Sequence, residues 1–399
     1  MSGLLDLRQA QQRLLALAPG TDAQVQSITS PISGKRFLAK DIAALRTQPA
    51  ADLSAMDGYA VTPGPGPWRL VGESRAGKPF DRALKPGECV RISTGAHMPH
   101  GSDRVLIQEN ATVGNGTVAG TQLPEPGRHV RRAGFDFHEG DTILTKGAPL
   151  TAPNLALAAA AGHDCLPTFM PPRLALLDSG DELVSPGRPC SRHQIPASNG
   201  LMLAAMLRPF VGAVDQLGPV GDDPDALAKA LGRAEDVQIL VTTGGASVGD
   251  HDLIQQALKD WGARIDFWKV AIKPGKPLMV ATRDTGTGRQ VIVGLPGNPV
   301  SSFVTAFLFV LPLVRAAMGA ADQIPRPVIL HAGEELPPTG KRREFLRAVH
   351  DGRLVRRAAS QDSSALFALA EANCLLEREP DTGPVKEGDQ VAVHLIANG

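Results

Sequence analysis

The 399-residue sequence predicts a multidomain protein in which an α/β domain is combined with two β domains. Between residues 171 and 324, apolar β-branched runs alternate with segments whose apolar residues recur at helical spacing, which is typical of a mostly parallel sheet covered by helices. Residues 54–144 and 325–399 instead contain short β-like runs separated by Gly and Pro. A chain of this length exceeds a single hydrophobic core, so several domains are expected.

Charge balance and cysteine spacing indicate which partners, which compartment and which metal sites are expected. Lys plus Arg equals Asp plus Glu at 41 each, so no overall field favours nucleic acid or an anionic membrane, and neither is expected as a partner. The cysteines lie far apart without a CxxC pair, which predicts reduced thiols in a cytoplasmic protein and no zinc site. The four are Cys89, Cys165, Cys190 and Cys374.

No targeting or membrane-spanning segment is predicted. The opening segment carries charges within its apolar run and therefore does not resemble a signal peptide. The longest apolar run, residues 303–314, is short for a bilayer and contains Pro312, and we interpret it as a buried helix.

The first third of the chain predicts helices at its ends and strands between them. Residues 4–17 repeat Leu and Ala at helical spacing, 42–45 suggest a second short helix, and 153–161 suggest a third. Between residues 68 and 144, β-like runs alternate with turn residues, which predicts a small all-β domain.

The α/β region gives a longer series of elements. Strands are predicted at 173–177, 213–217, 237–243, 265–270, 278–281 and 291–293, and helices at 199–207, 225–233, after residue 252 and after residue 301. Strand and helix are expected to alternate throughout. The polar groups then fall on loops at the carboxyl ends of the strands, where α/β sheets bind ligands.

The most distinctive turn follows the strand 237–243. Gly244 and Gly245 allow positive φ and a close backbone approach, and the following helix adds the positive end of its dipole, which suits a phosphate. Asp250 and Asp252 are then either helix caps or, beside an anion, ligands of a divalent cation. A tight turn with an acidic cap and no ligand remains the alternative.

Neighbouring loops divide by charge. Glu182, Asp222, Asp250 and Asp252 supply hard oxygen ligands that suit Mg²⁺. Lys273, Lys276 and Ser301 supply donors to an oxyanion. This division indicates phosphate or oxyanion transfer with a metal, unless these groups are only helix caps and solvated lysines.

Seven motifs occur in an order shared with a known family. They are SAMDGYAV from Ser54, GESRAGKP from Gly72, STGAHMP from Ser93, SGDEL from Ser179, TTGGASVGDHD from Thr242, KPGKP from Lys273 and GLPGNPVS from Gly294. In this respect the chain resembles, over almost its whole length, the molybdopterin molybdenumtransferases, the family of bacterial MoeA and the gephyrin E domain.

The resemblance implies an elongated homodimer with four domains in each chain. A helical stalk is expected from residues 1–53 and 145–170, a protruding β domain from 54–144, an α/β molybdopterin-binding domain from 171–324, and a β barrel from 325–399. The barrel agrees with β-like runs after residue 325, interrupted by a helix near 363–371.

The implied reaction inserts molybdenum from molybdate into adenylylated molybdopterin with Mg²⁺, releasing AMP and molybdenum cofactor. A molybdopterin adenylyltransferase and molybdoenzymes are further implied partners. By similarity, the catalytic residues are Asp57, Thr94, Asp136, Glu182 and Asp252, and the metal ligands are Glu182, Asp222 and Asp252. The substrate-binding residues are Gly244, Gly245, Ser247, Asp222, Pro296 and Gly297. The molybdate-binding residues are Lys273, Lys276, Ser301, Arg347 and Ser363.

Some positions depart from the family pattern. Phe135 replaces a Glu, and Asp178 stands where Ser or Thr is common. Two other functions are compatible with the sequence: adenylylation of molybdopterin, and a non-catalytic scaffold of the same fold. The additional N-terminal and C-terminal domains and the KPGKP loop argue against the first, and the retained acids and lysines argue against the second.

Overall fold

The computed structural model describes residues 4–30, 34–211, 213–244, 253–286 and 288–396. The N-terminal part contains the helices α1 (Leu7–Leu15) and α2 (Ala152–Ala160). Its strands are β1 (Ala23–Ser27), β2 (Ile42–Ala43), β3 (Leu53–Ser54), β4 (Gly58–Val61), β5 (Trp68–Ser74), β6 (Glu88–Ile92), β7 (Arg104–Ile107), β8 (Ala111–Gly114), β9 (Thr117–Gly120), β10 (Val130–Arg131), β11 (Thr142–Leu144) and β12 (Cys165–Phe169).

Six of these strands form the predicted β domain, in the order β7-β4-β6-β5-β9-β8. The chain before and after this sheet is joined by antiparallel pairs, β1 with β12 and β2 with β11. The helices predicted at 4–17 and 153–161 are confirmed as α1 and α2. The helix predicted at 42–45 is wrong, because Ile42 is buried and pairs with Leu144, and this long-range pairing overrides a weak local pattern.

The main sheet of the central domain has the order β16-β13-β17-β21-β20-β18, while β14 pairs separately with β15 and β19 pairs with the barrel. Its strands are β13 (Leu174–Asp178), β14 (Leu183–Val184), β15 (Ile195–Pro196), β16 (Asp215–Gln216), β17 (Ile239–Thr243), β18 (Arg264–Lys269), β19 (Ile272–Lys273), β20 (Pro277–Thr285) and β21 (Gly288–Leu295). Its helices are α3 (Asn199–Val211), α4 (Pro224–Gly232), α5 (Leu253–Asp260), α6 (Pro299–Thr305) and α7 (Leu311–Ala317). The strands β16, β13, β17 and β21 are mutually parallel, as predicted.

The predicted alternation of strand and helix fails at β20 and β21, which form an antiparallel hairpin. Because β20 runs in reverse, its first residue, Pro277, lies beside Lys269, and its Met279 lies beside Gly294 near the end of β21. The reversal therefore brings the loop 270–276 to the same sheet edge as the loops that follow the parallel strands.

The apolar segment after β21 forms one continuous buried helix, as predicted. It comprises α6, a π-helical turn (Ala306–Val310) and α7. At 19 residues it is long and apolar enough to cross a membrane, but 94% of it is buried inside the protein. It packs against α1, α3 and the sheet in the main hydrophobic core.

The π-helical turn has a local cause. In an α-helix the N–H of residue 312 would donate to the carbonyl of residue 308, but Pro312 has no N–H. The buried Gln11 of α1 supplies the missing donor, with 2.9 Å from its Nε2 to the Leu308 oxygen. A single side chain thereby joins α1 to the buried helix at the position where its hydrogen-bond pattern changes.

The C-terminal domain is a closed five-stranded barrel, as predicted. Its elements are β22 (Val328–Ala332), β23 (Arg343–His350), β24 (Leu354–Arg357), α8 (Leu366–Glu371), β25 (Cys374–Arg378) and β26 (Gln390–Leu395). Strand β25 pairs with both β26 and β23, which closes the ring. The short β19 adds to β23 in parallel, placing Lys273 opposite Glu344 and joining the central domain to the barrel.

Replacing Gln11 with Ala should destabilise the protein, because the Leu308 carbonyl would lose a donor in a buried position. The expected loss is about 1–3 kcal/mol, the cost of an unsatisfied buried polar group. Gln12→Ala is the matched control, since Gln12 is exposed on the same helix. Urea unfolding of the three proteins measures the difference, and equal midpoints would show that the bond does not contribute.

Candidate functional site

Three loops meet at the carboxyl edge of the central sheet. The Ser179 N–H donates to the Thr243 carbonyl (3.4 Å), and the Gly180 N–H donates to the Val220 carbonyl (3.0 Å). The Asp222 N–H donates to Oδ1 of Asp181 (2.8 Å). These bonds bring together the loops that carry three predicted residues, which are Glu182, Asp222 and Gly244.

Glu182 and Asp222 are both exposed on these neighbouring loops. Gly244 has φ +91°, and a Cβ there would lie 3.0 Å from the Ser179 oxygen, so glycine is required for this close approach. The other predicted members, Gly245, Ser247, Asp250 and Asp252, lie outside the described residues. Within the described ranges no group of three or more His, Cys, Asp or Glu could hold a metal ion, and the ligand set that includes Asp252 stays a prediction.

Asp178 lies beneath these loops, and the sequence alone marks it only as a departure from a family pattern. Its carboxylate is buried and accepts hydrogen bonds from the Thr243 hydroxyl and from the Gly200 N–H (3.0 Å). Burial raises the pKa of this carboxyl group. A Cβ on Gly200 would approach Asp178 to 2.4 Å, so the start of α3 is held directly against the carboxylate. Asp178 is therefore a positioning residue.

The start of α3 in turn contacts the loop between β21 and α6. Asn199 Nδ2 donates to the carbonyl of Gly297, which is exposed beside Pro296 (2.7 Å). On the other side of this loop, Asn298 Nδ2 donates to the Ser363 hydroxyl (3.2 Å) and the Val300 N–H donates to the Ser363 carbonyl (3.2 Å). These bonds join the loop that carries Pro296 and Gly297 to Ser363, whereas the predicted molybdate residue Ser301, in the first turn of α6, is buried, with 6% exposed.

The basic loop packs against the first turns of α6. Gly275 has φ +97°, and a Cβ there would lie 2.4 Å from the Thr305 hydroxyl and 3.7 Å from the carbonyl oxygen of Ser301. Lys273 and Lys276, on either side of Gly275, are exposed. Lys273 forms an ion pair with Glu344 of the barrel, at 3.0 Å from Nζ to Oε1.

Arg347 has a different environment from the two lysines. Only 1% of it is exposed, and burial lowers the pKa of its guanidinium. Its Nη2 donates to the carbonyls of Ser360 (3.3 Å) and Asp362 (3.1 Å). These bonds support the loop that carries Ser363, and a direct contact of Arg347 with molybdate stays a prediction.

The predicted residues of the N-terminal β domain form a second group. Both the N–H and the hydroxyl of Thr94 donate to one oxygen of Asp57, at 2.6 and 2.9 Å. The backbone bond and then the hydroxyl bond lower the pKa of the Asp57 carboxyl group. The exposed Asp136 lies on a separate loop, where its N–H donates to the Gln48 carbonyl (3.0 Å).

The loop before Asp136 is held by a residue that the sequence did not single out for function. Asp52 accepts hydrogen bonds from Arg132 (2.6 Å) and from the Ala133 N–H (2.9 Å). Within the part of the chain that the structure describes, no hydrogen bond or ion pair joins Asp57, Thr94 or Asp136 to the edge of the central sheet. Among the residues that the structure describes, the two groups of predicted site residues thus share no hydrogen bond or ion pair.

Comparison with known proteins shows the family to which the chain belongs. Models of the MoeA N-terminal region (domains I and II), a probable molybdopterin binding domain and the MoeA C-terminal region (domain IV) match residues 5–162, 175–316 and 330–396. The molybdopterin molybdenumtransferase of Haemophilus influenzae is 33% identical, with 98% of this chain and 100% of that protein covered. The chain belongs to the MoeA family.

Two further members support this assignment. Molybdopterin molybdenumtransferase 2 of Mycobacterium tuberculosis is 36% identical over 92% of this chain and 94% of its own length. The crystal structure of a MoeA molybdopterin biosynthesis protein from Pyrococcus horikoshii superposes with a TM-score of 0.77 at 26% identity, covering 99% of each chain. The multidomain fold of the MoeA family, with its C-terminal barrel, is thus present along the whole chain.

The Thr94 hydroxyl should keep Asp57 ionised to a lower pH than an ordinary carboxyl group. In Thr94→Val one of the two hydrogen bonds is lost, so the pKa of Asp57 should rise toward its usual value while the remaining backbone bond keeps part of the effect. Thr94→Ser retains a hydroxyl and serves as the control. Carboxyl titration by NMR measures the pKa, and identical titrations of wild type and Thr94→Val would contradict the prediction.

Proposed function

We propose that this chain inserts molybdenum from molybdate into adenylylated molybdopterin and releases AMP and molybdenum cofactor. The main support is that loops with exposed lysines and loops with exposed carboxylates follow strands of the same sheet edge and are linked by contacts through the start of α3 and α6, in a chain whose curated relatives are named molybdopterin molybdenumtransferases. This arrangement suits two substrates of negative charge, one of which is a tetrahedral oxyanion.

Different residues would bind the two substrates. Lys273, Lys276, Ser301 and Ser363 would bind molybdate, since charge-assisted N–H and hydroxyl donors are the groups that stabilise a compact dianion. The loops with Gly244, Pro296 and Gly297 offer backbone contacts to the adenylylated substrate, together with Gly245 and Ser247 by similarity. Glu344 sets the position of the Lys273 ammonium through the ion pair at 3.0 Å.

The residues also fit Mg²⁺. Glu182 and Asp222 present exposed carboxylates on adjacent loops, and magnesium in proteins commonly takes one or two carboxylates and fills its other positions with water and substrate phosphates. When bound, the ion would neutralise charge on the pyrophosphate of the substrate. Asp252 is assigned to the same set by similarity.

Two chains would be needed to complete the site. Asp57, Thr94 and Asp136 make no hydrogen bond or ion pair with the central sheet edge of their own chain, among the residues that the structure describes. In a two-fold homodimer the β domain of one subunit can instead face the sheet edge of the other. The proposed setting is the cytoplasm, where the four free thiols would stay reduced, with a molybdopterin adenylyltransferase and molybdoenzymes as partners and no nucleic acid or membrane involved.

The direct test uses purified protein with adenylylated molybdopterin, molybdate and Mg²⁺, followed by mass analysis of the products. We expect AMP and molybdenum cofactor, and no AMP when molybdate is left out. Consumption of ATP with unmodified molybdopterin would instead identify an adenylyltransferase. A stable, dimeric protein that does neither would be a scaffold.

Removal of either carboxylate should change the Mg²⁺ concentration that the reaction requires. Glu182→Gln and Asp222→Asn should raise the Mg²⁺ concentration needed for half-maximal AMP release, because each removes a charged oxygen ligand. Asp225→Asn is the control, since Asp225 is exposed in the first turn of α4, close to Asp222 in sequence. Unchanged magnesium dependence in both variants would remove these residues from the proposed metal site.

Subunit complementation tests whether the site is shared. At a molybdate concentration far below the one that Lys276→Ala needs, Asp57→Asn and Lys276→Ala chains should each show almost no activity as homodimers. A mixture should regain activity because each heterodimer contains one site without either substitution. A heterodimer of Asp57→Asn with a chain carrying both substitutions is the control, and it should stay inactive. Absence of activity in the first mixture, with subunit exchange demonstrated, would place the site within one chain.

Lys276 should contribute mainly to molybdate binding. Its removal costs a charge-assisted contact of about 1.5–3 kcal/mol. Lys276→Ala should accordingly raise the molybdate concentration for half-maximal AMP release by roughly ten- to a hundredfold, with partial rescue by excess molybdate. Lys269→Ala removes the same charge from an exposed position at the end of β18 and is the control. Weaker binding of adenylylated molybdopterin with unchanged molybdate dependence would make Lys276 a phosphate ligand.

A further inference from the structure

Asp178 is the residue at which four segments below the sheet edge meet. Its carboxylate accepts hydrogen bonds from the Thr243 hydroxyl, at the end of β17, and from the Gly200 N–H, at the start of α3 (3.0 Å). Its own carbonyl accepts the Val220 N–H (2.9 Å), and a Cβ on Gly218 would lie 2.4 Å from that oxygen. The ends of β13 and β17, the start of α3 and the loop after β16 are therefore all in contact at this one residue.

Two of these contacts lead to the predicted substrate loops. Thr243 directly precedes Gly244, which begins the first of them. The start of α3 carries Asn199, which donates to the Gly297 carbonyl of the second loop (2.7 Å). Asp178 thus connects the two loops, since its Oδ1 accepts from Thr243 and its Oδ2 accepts from the start of α3.

The ionised form of this carboxyl group serves both donors better than the protonated form. A proton on either oxygen turns that oxygen from a charged acceptor into a donor, which faces either the Gly200 N–H or the Thr243 hydroxyl. Hydrogen bonds to a charged group are about twice as strong as neutral ones, so protonation would weaken or break one of the two contacts. Thr243 and Gly200 are both buried, and bulk water therefore does not replace the lost acceptor.

Hydrogen bonds hold the charge of Asp178 within the described part of the chain. Burial raises the pKa of its carboxyl group, and the bonds from Thr243 and Gly200 oppose that shift. Strand β17 and residues 199–202 and 217–220 contain no charged side chain. The charged residues of the loops 179–182 and 221–223 are exposed acids, which are Asp181, Glu182, Asp222 and Asp223. The buried carboxyl group therefore titrates at a higher pH than an ordinary Asp side chain.

We propose that Asp178 links the binding of adenylylated molybdopterin to the proton concentration: its carboxylate holds both substrate loops in place, and its protonation releases one of them. The proposal rests on the proposed function, since it concerns the same substrate. Ser or Thr, which are common at this position in the family pattern, could not act in this way, because a hydroxyl group does not titrate near neutral pH.

The affinity for adenylylated molybdopterin, measured without molybdate over a series of pH values, tests this role. The affinity of the wild type should fall roughly three- to tenfold as the pH is lowered, which is the loss expected for one hydrogen bond. This step should lie above the usual pH range of an Asp carboxyl group. Asp178→Ser and Asp178→Asn cannot ionise and should lack the step. Asp215→Ser is the matched control at an exposed strand position and should keep it.

Urea unfolding of the same proteins gives a readout that does not depend on the proposed function. Because the folded-state pKa of Asp178 is raised, its contribution to stability is greatest below the pKa of the unfolded chain and is lost as the pH rises through the folded-state pKa. Relative to Asp178→Ser, the wild type should therefore gain stability on acidification while it loses affinity. A residue with only a structural role would change both quantities in the same direction.

The outcomes separate this proposal from the proposed function. A step in affinity that persists in both Asp178 variants, or that is missing from the wild type, would overturn the proposal alone. So would affinity and stability that fall together on acidification, relative to Asp178→Ser. A wild type that binds with the expected step but releases no AMP would contradict the proposed function alone, and one that does not bind adenylylated molybdopterin at any pH would contradict both.

Discussion

The helix over residues 299–317 is apolar on all sides and can exist in water only if the rest of the chain surrounds it. The sheet of the central domain covers one side, α1 and α3 cover others, and the barrel contributes Phe345 and Leu375 to the same core. This one requirement explains why segments far apart in sequence are packed together. It also fixes the helix N-terminus, and Ser301 with it, against the sheet edge.

The two groups of predicted site residues differ in how their neighbours affect the charge of the carboxyl groups. At the sheet edge the titratable groups are exposed. Burial raises the pKa of Asp178 below them, while the hydrogen bonds from the Thr243 hydroxyl and the Gly200 N–H favour its ionised form and oppose that shift. In the β domain, Asp57 is exposed but is kept ionised by two donors from a single residue. The sheet edge thus offers exposed groups of both charges, whereas the β domain offers a carboxylate whose ionised form is favoured by its own neighbour.

Much of the fold follows from patterns in the sequence, because long amphipathic or β-branched segments specify their own secondary structure. Helix α1, the strands of the β domain, the buried helix and the barrel strands are in this class. The strand β2 is not, since it depends on a pairing with β11, which is distant in sequence. The reversal of β20 is not either, because a buried apolar run does not specify whether a strand pairs in parallel or antiparallel with its neighbours β18 and β21.

The candidate site is also only partly predictable from the sequence. Motifs identify Glu182, Asp222 and Lys276. Other residues act through contacts that only the folded chain reveals, and they are Asp52, Asp178 and Glu344. The burial of Arg347 has no signal in the sequence.

The reversed strand β20 has a practical consequence. It is nine residues long, and its far end, where Thr285 pairs with Gly288, lies at the opposite edge of the sheet from the basic loop. At about 3.4 Å per residue the two ends are separated by roughly 27 Å. Insertions are best tolerated at exposed loop tips with small or polar residues, and Gly286 at this end of β20 is exposed. A fluorescent label or affinity tag placed between these strands could therefore report on assembly and ligand exchange in the intact enzyme without disturbing the chemistry at the other edge.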